Sequence, residues 1–153
     1  PILIGRARGE TVRKLGDPLG AILKGDPEAV IVCSTDMTHY PPYEAACRID
    51  RETLEAIETM DPEEVIKVRR KYIPGSVPNL SCTLCGEEAV IATMIAARRA
   101  GTDRVEILGY SNSGDVSFGD KNRVVGYGAV IFLKEDEKMN EEKVNDKKER
   151  EGL

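Results

Sequence analysis

Three side chains in this sequence are of types that can do chemistry together. Asp36 and His39 lie in Ser34-Thr35-Asp36-Met37-Thr38-His39-Tyr40, and Cys85 lies in Cys82-Thr83-Leu84-Cys85-Gly86. His39 is the sole histidine of the chain. Imidazole is the side chain that titrates near neutrality, so it suits general acid/base work, and Asp36 can fix its tautomer or help to bind a substrate. The plainer readings stand beside these. A histidine in a loop is more often a hydrogen-bonded or capping residue, and an aspartate at such a place is often a turn-former through its own side chain. Cys85 precedes a predicted helix, where a thiolate would meet the positive end of the helix dipole, and is a candidate metal ligand or nucleophile.

The spacing Cys82-x-x-Cys85 is the sharpest local motif. Such a pair supplies half of a zinc site, but the second pair is missing and one histidine does not complete a tetrahedron. A redox dithiol is the other option, although no strand feeds the pair as in thioredoxin-like folds. Cys33 and Cys47, on a predicted strand and helix, read as small core side chains. Gly114 and Gly119 fit no phosphate-loop pattern.

These groups have to be positioned by elements. Pro1–Gly5 reads as a short buried strand, so that the chain begins in mid-fold, although proline also follows a lost initiator methionine. From Glu10 to Lys24, Val12, Leu15, Leu19, Ile22 and Leu23 recur at helical spacing, with a break expected at Asp17-Pro18. Ala29-Val30-Ile31-Val32-Cys33 is a continuous, largely β-branched run, the pattern of a buried parallel strand. Pro41-Pro42 opens a helix to about Met60, and Asp61-Pro62-Glu63-Glu64 caps another to about Tyr72. Residues 73–84 have a loop composition, Glu87–Ala100 is a helix with Gly101 as its stop, and Arg104–Ser111 and Val124–Leu133 are strands.

Strands alternating with helices predict an α/β fold with a largely parallel sheet flanked by helices. In such folds ligands bind where loops leave the carboxyl ends of strands. If Arg104–Ser111 runs parallel to the strand before Asp36, the right-handed crossover rule brings Cys85 to the edge where Asp36 and His39 lie. Asn112 and Asp115, leaving the later strand, join them as candidate substrate-binding residues.

The chain has 153 residues, with 41% of them apolar, enough for one core. Its net charge of −5 and lack of a basic stripe argue against nucleic acid as a partner. It has no apolar run long enough for a membrane span and no signal-peptide pattern, so the expected location is the cytoplasm, with its four cysteines as thiols. Absence of glutamine beside abundant lysine, arginine and glutamate leans towards a thermophilic source. Residues 135–153 hold eight acidic and five basic side chains and read as a solvated, disordered tail behind a domain spanning 1–134.

Ser34–Tyr40, Cys85-Gly86, Tyr110-Ser111-Asn112-Ser113-Gly114-Asp115 and Val125-Gly126-Tyr127-Gly128-Ala129, in this order, resemble the carboxyl-terminal half of a Memo-family protein. Through that family the chain is similar to the class III extradiol dioxygenases, non-haem iron enzymes that open catechol rings. The resemblance implies half of a dioxygenase-like α/β domain, with Cys85 as a metal ligand, His39 as the acid/base and Asp36 as a carboxylate beside the site. A cysteine ligand softens such a site towards copper or iron. It also implies that further histidine ligands belong to an amino-terminal half with no counterpart here. The chain is then a fragment, one member of a split pair, or a remnant without the chemistry. Two functions follow: a metal-dependent oxidoreductase completed by an amino-terminal-half polypeptide or a second copy, acting on a small molecule, or a non-enzymatic module binding a peptide or partner in the same cleft.

Overall fold

The computed structural model describes residues 1–5, 7, 9–73, 75 and 77–134. The elements run α1 (Gly9–Gly25), α2 (Tyr43–Glu58), α3 (Pro62–Tyr72), α4 (Glu87–Ala100), β1 (Arg104–Asn112) and β2 (Gly126–Leu133). The expected tail, 135–153, lies outside the described residues.

Helix α3 starts where its sequence says it should: the Asp61 carboxylate accepts from the Glu63 N–H at 3.0 Å, and Pro62 takes the first helical position. Helix α4 stops at Gly101, which adopts φ 97° and takes up the carbonyls of Ala97 and Arg98. On α2 the buried residues Ala46, Ile49, Asp50, Thr53, Leu54 and Ile57 form one stripe at helical spacing. This stripe, with Val65 and Val68 of α3, Val90 and Met94 of α4, and Met37 and Leu84 of the loops, makes the main core, against which Val130 and Phe132 of β2 pack.

Three sequence expectations are corrected. The break at Asp17-Pro18 does not occur: α1 runs through Pro18. Proline removes one intrahelical hydrogen bond, but α1 lies so tightly on α4 that the pairing holds it helical. A Cβ on Gly16 would come within 2.7 Å of Ile95, and one on Gly20 within 2.6 Å of the Ala96 carbonyl. Pro1–Gly5 is not a buried strand, since Ile2 and Leu3 are exposed and no strand among the described residues accepts them.

The third correction concerns the sheet, which is not largely parallel. Its two strands, β1 and β2, pair antiparallel from Arg104↔Leu133 to Asn112↔Gly126, with an irregularity between Ile107 and Gly109. Residues 113–125 connect them without a helix, and strands lacking a helical crossover return antiparallel. Ala29–Cys33 joins no ladder among the described residues, but at its far end Met37 and His39 do meet the start of β2. The Met37 N–H donates to Gly126, the Gly126 N–H to Thr38, and His39 bridges Val125 in antiparallel sense. The 37–39 segment and β1 are thus both antiparallel to β2 and run in one direction. That shared direction, rather than a parallel ladder, is what the site needs.

Candidate metal centre

The loop carrying Asp36 and His39 is fixed from three sides. His39 donates its N–H to the Cys82 carbonyl at 3.2 Å and accepts from the Ser81 N–H at 3.0 Å, so residues 81–82 and 125 flank it like short strands. Tyr40 then turns in the left-handed region, φ 73°, and its ring lies 5.4 Å from that of His39 and 4.3 Å below the Arg123 guanidinium.

Underneath lies Asp50 of α2, fully buried, accepting from the Thr38 N–H at 3.0 Å, the Thr38 hydroxyl at 2.9 Å and the Tyr110 hydroxyl at 2.8 Å. Burial pushes its carboxyl pKa up, and these hydrogen bonds pull it back. Gly126 lets β2 pass over this carboxylate, because a Cβ there would overlap an Asp50 oxygen. Residue types and motifs alone do not mark Asp50. Its signal in the sequence is its place within the apolar stripe Ala46, Ile49, Leu54 and Ile57, where an acid has no reason to be unless something binds it.

Cys85 is stitched to the same loop. Its N–H donates to the Asp36 carbonyl at 3.0 Å, the Asp36 N–H approaches its Sγ at 3.3 Å, and the Gly86 N–H donates to the Thr35 hydroxyl at 2.7 Å. Cys85 is exposed and sits immediately before Gly86, the N-cap of α4. Its motif partner Cys82 points elsewhere, its Sγ 3.8 Å from the Met37 carbonyl, and burial pushes its thiol up to about 11. Cys33 is half-buried beside the main core, with burial raising its pKa, and Cys47 is half-buried on α2.

Ligand atoms of Asp36, His39 and Cys85 all lie within 4.8 Å of one another. The His39 Nε2 is buried and lacks a hydrogen-bond partner, with the Asp36 Oδ2 at 3.5 Å, too far for a good bond. One thiol sulfur, one imidazole nitrogen and one carboxylate oxygen thus converge, with the nitrogen left over. A buried imidazole nitrogen without a partner beside a sulfur and a carboxylate is a group of ligand types that could hold a metal ion.

Asn112 and Asp115 lie outside this group. Asp115 accepts from the Tyr43 hydroxyl at 2.7 Å, the Ser111 hydroxyl at 2.9 Å and the Asn112 N–H at 2.7 Å. The Tyr43 bond leads in holding its carboxyl below the usual range, while the same bond pushes Tyr43 up to about 12. Asn112 is buried, accepts from the Gly114 N–H at 2.8 Å, and donates towards Cys47 and Tyr110. Its 3.4 Å approach to the Tyr110 hydroxyl links this turn to Asp50 and so to Thr38, next to His39.

The four sequence blocks around these residues have counterparts elsewhere. The profile described as Memo-like protein matches residues 1–131. A MEMO1 family protein of Methanopyrus kandleri is 32% identical over 133 residues, which is 86% of this chain and 44% of the relative. One from Methanosarcina barkeri is 36% identical over 135 residues, 86% of this chain and 46% of the relative. A third, from Aquifex aeolicus, is 33% identical over 133 residues, again 46% of its length. The chain thus spans less than half the length of these curated relatives. No helix among the described residues is long and apolar enough to cross a membrane. With the match extending over nearly all of the described residues, the loop of Asp36 and His39 and the helix start at Cys85 among them, the chain belongs to the Memo family.

Proposed function

We propose that this chain carries part of a metal-dependent, dioxygenase-like oxidoreductase centre. The observation that carries this reading is the buried, unpartnered Nε2 of His39 facing Asp36 and Cys85. Cys85 would hold the metal through its thiolate. His39 would move a proton to or from the substrate, and Asp36, 3.5 Å from its Nε2, would orient the ring or the substrate. Copper or iron held there would supply redox chemistry. The remaining ligands would come from the part of the family domain that this chain does not span, because a single thiolate with loosely placed neighbours does not fix a catalytic geometry.

Titration with copper(I) and iron(II) under reducing conditions tests this reading. The isolated chain should bind weakly, and Cys85→Ser should weaken binding further, by more than the roughly 10–100-fold typical of losing an outer partner. Tight stoichiometric binding that Cys85→Ser leaves unchanged would sink it.

A further inference from the structure

The loop between β1 and β2 sets two cations on two tyrosines, and only one of them has an acid to answer it. Lys121 lies 4.9 Å over the Tyr43 ring, whose hydroxyl donates to Asp115, so its charge has a carboxylate close by. Arg123 lies 4.3 Å over the Tyr40 ring and makes no ion pair among the described residues. Asp120, the acid nearest to it in sequence, is taken by Asn122, whose backbone and side-chain N–H groups donate to it at 2.9 and 3.0 Å.

The backbone fixes Arg123 in this place. Tyr40 has φ 73°, a conformation that a bulky residue keeps only when its surroundings hold it there. Two bonds do so: the Tyr40 N–H donates to the Val124 carbonyl at 2.7 Å, and the Val124 N–H to the Pro41 carbonyl at 3.0 Å. Val124 is fully buried, so the chain at Arg123 is anchored while the Arg123 side chain stays exposed. The same turn brings the Tyr40 ring to 5.4 Å from that of His39, which puts the guanidinium within about 10 Å of the imidazole, one ring away. Stacking uses the flat face of the guanidinium. Its in-plane N–H groups, the fork that pairs a carboxylate with two bonds, remain free.

We infer that Arg123 is a specificity-determining residue that binds the carboxylate of a small-molecule ligand whose other end meets the unpartnered Nε2 of His39. The inference deepens the proposed function and rests on it for what happens to the ligand, whereas the ligand's charge follows from Arg123 itself. Asp36 and a Cys85 thiolate repel an anion from the cluster, so the ligand's acid group is turned outward to Arg123 and its reacting end is neutral. The span between the two anchors leaves room for a chain of a few carbons.

The test titrates the metal-free chain with butyrate and with its neutral isostere butyramide, following the Arg123 Nε–H and the ring signals of Tyr40 and His39 by NMR. Butyrate should shift these signals with a dissociation constant in the millimolar range, weakening as salt is raised, and butyramide should bind about tenfold more weakly or less. Arg123→Gln should lose about tenfold or more in butyrate affinity at an unchanged melting temperature, and Arg123→Lys should restore part of it, because lysine keeps the charge without the fork. An arginine that merely props Tyr40 would not separate the two probes. Equal binding of butyrate and butyramide, butyrate affinity unchanged in Arg123→Gln, or shifts confined to other arginines would each overturn the inference. The metal reading fails separately: tight copper(I) binding that Cys85→Ser leaves unchanged would remove it, and the butyrate result, obtained without metal, would stand.

Discussion

Two polar clusters, both expected at the end of a strand, have been put to opposite uses. Around Asp115 each carboxylate oxygen is taken: Tyr43, Ser111 and the Asn112 N–H all donate to it, and the Asn112 amide is itself engaged on both sides. Around His39 the backbone is equally well bonded, but the imidazole is not. Nε2 has no partner and Asp36 stands 3.5 Å away, although the Cys85 sulfur is met by the Asp36 N–H and the Thr35 hydroxyl, each at 3.3 Å. A satisfied cluster stabilises a turn, and a cluster with spare ligand atoms is available to something else. Tyr110 and Asp50 join the two through hydrogen bonds that run from Asn112 to Thr38.

The largest effect should come from breaking that junction. Asp50→Ala strands the Thr38 N–H and the Tyr110 hydroxyl in the core and should lower unfolding free energy by about 3 kcal/mol, measured by urea denaturation. It should also weaken metal binding even in conditions where the variant is fully folded. Binding equal to wild type would mean that the junction does not position the His39 loop.

Cys85→Ser should behave in the reverse way. The side chain is exposed and adds little to the core, so stability should stay within about 0.5 kcal/mol while metal binding drops. A large loss of stability would make Cys85 a structural residue and remove the contrast between the clusters.

The smallest effects are in acid, and they differ in sign. Asp50 has a raised pKa in the folded protein, so its contribution favours folding fully below the ordinary carboxylate value of about 4 and is lost as pH rises through the folded value. Asp115 has a lowered pKa, so its contribution is present above that ordinary value and is lost as pH falls through the folded one. Melting curves between about pH 2 and 6 should therefore show Asp115→Asn flattening an acid-side loss of stability, and Asp50→Asn removing an opposing slope. Slopes of the same sign in the two variants would mean that the carboxylates sit in like environments.

Much of the helical part was legible from sequence because its signals are local. The Asp61-Pro62 start of α3, the Gly101 stop of α4 and the stripe of α2 all act within one or two turns. The break expected at Pro18 does not form because its local cost is outweighed by the approach of Gly16 and Gly20 to α4, which no local pattern records. The run Ala29–Cys33 has the pattern of a buried parallel strand, but β-branched composition only says that a segment suits a sheet. Whether it pairs depends on a neighbour from elsewhere.

The candidate site divides along the same line. Sequence alone determined that Asp36, His39 and Cys85 are of types that can bind a metal or move a proton, whereas their convergence, expected from parallel strands, is reached beside an antiparallel sheet. It also placed the chain in its family, because short blocks of side chains around a site survive as sequence. Only the tertiary structure decided that His39 Nε2 is left without a partner while Asp115 is fully engaged, and that Asp50 supports the loop from below. The physical reason is that residue type and spacing fix what a group can do. Burial and hydrogen-bond satisfaction, which decide what it is free to do, depend on atoms brought from distant parts of the chain.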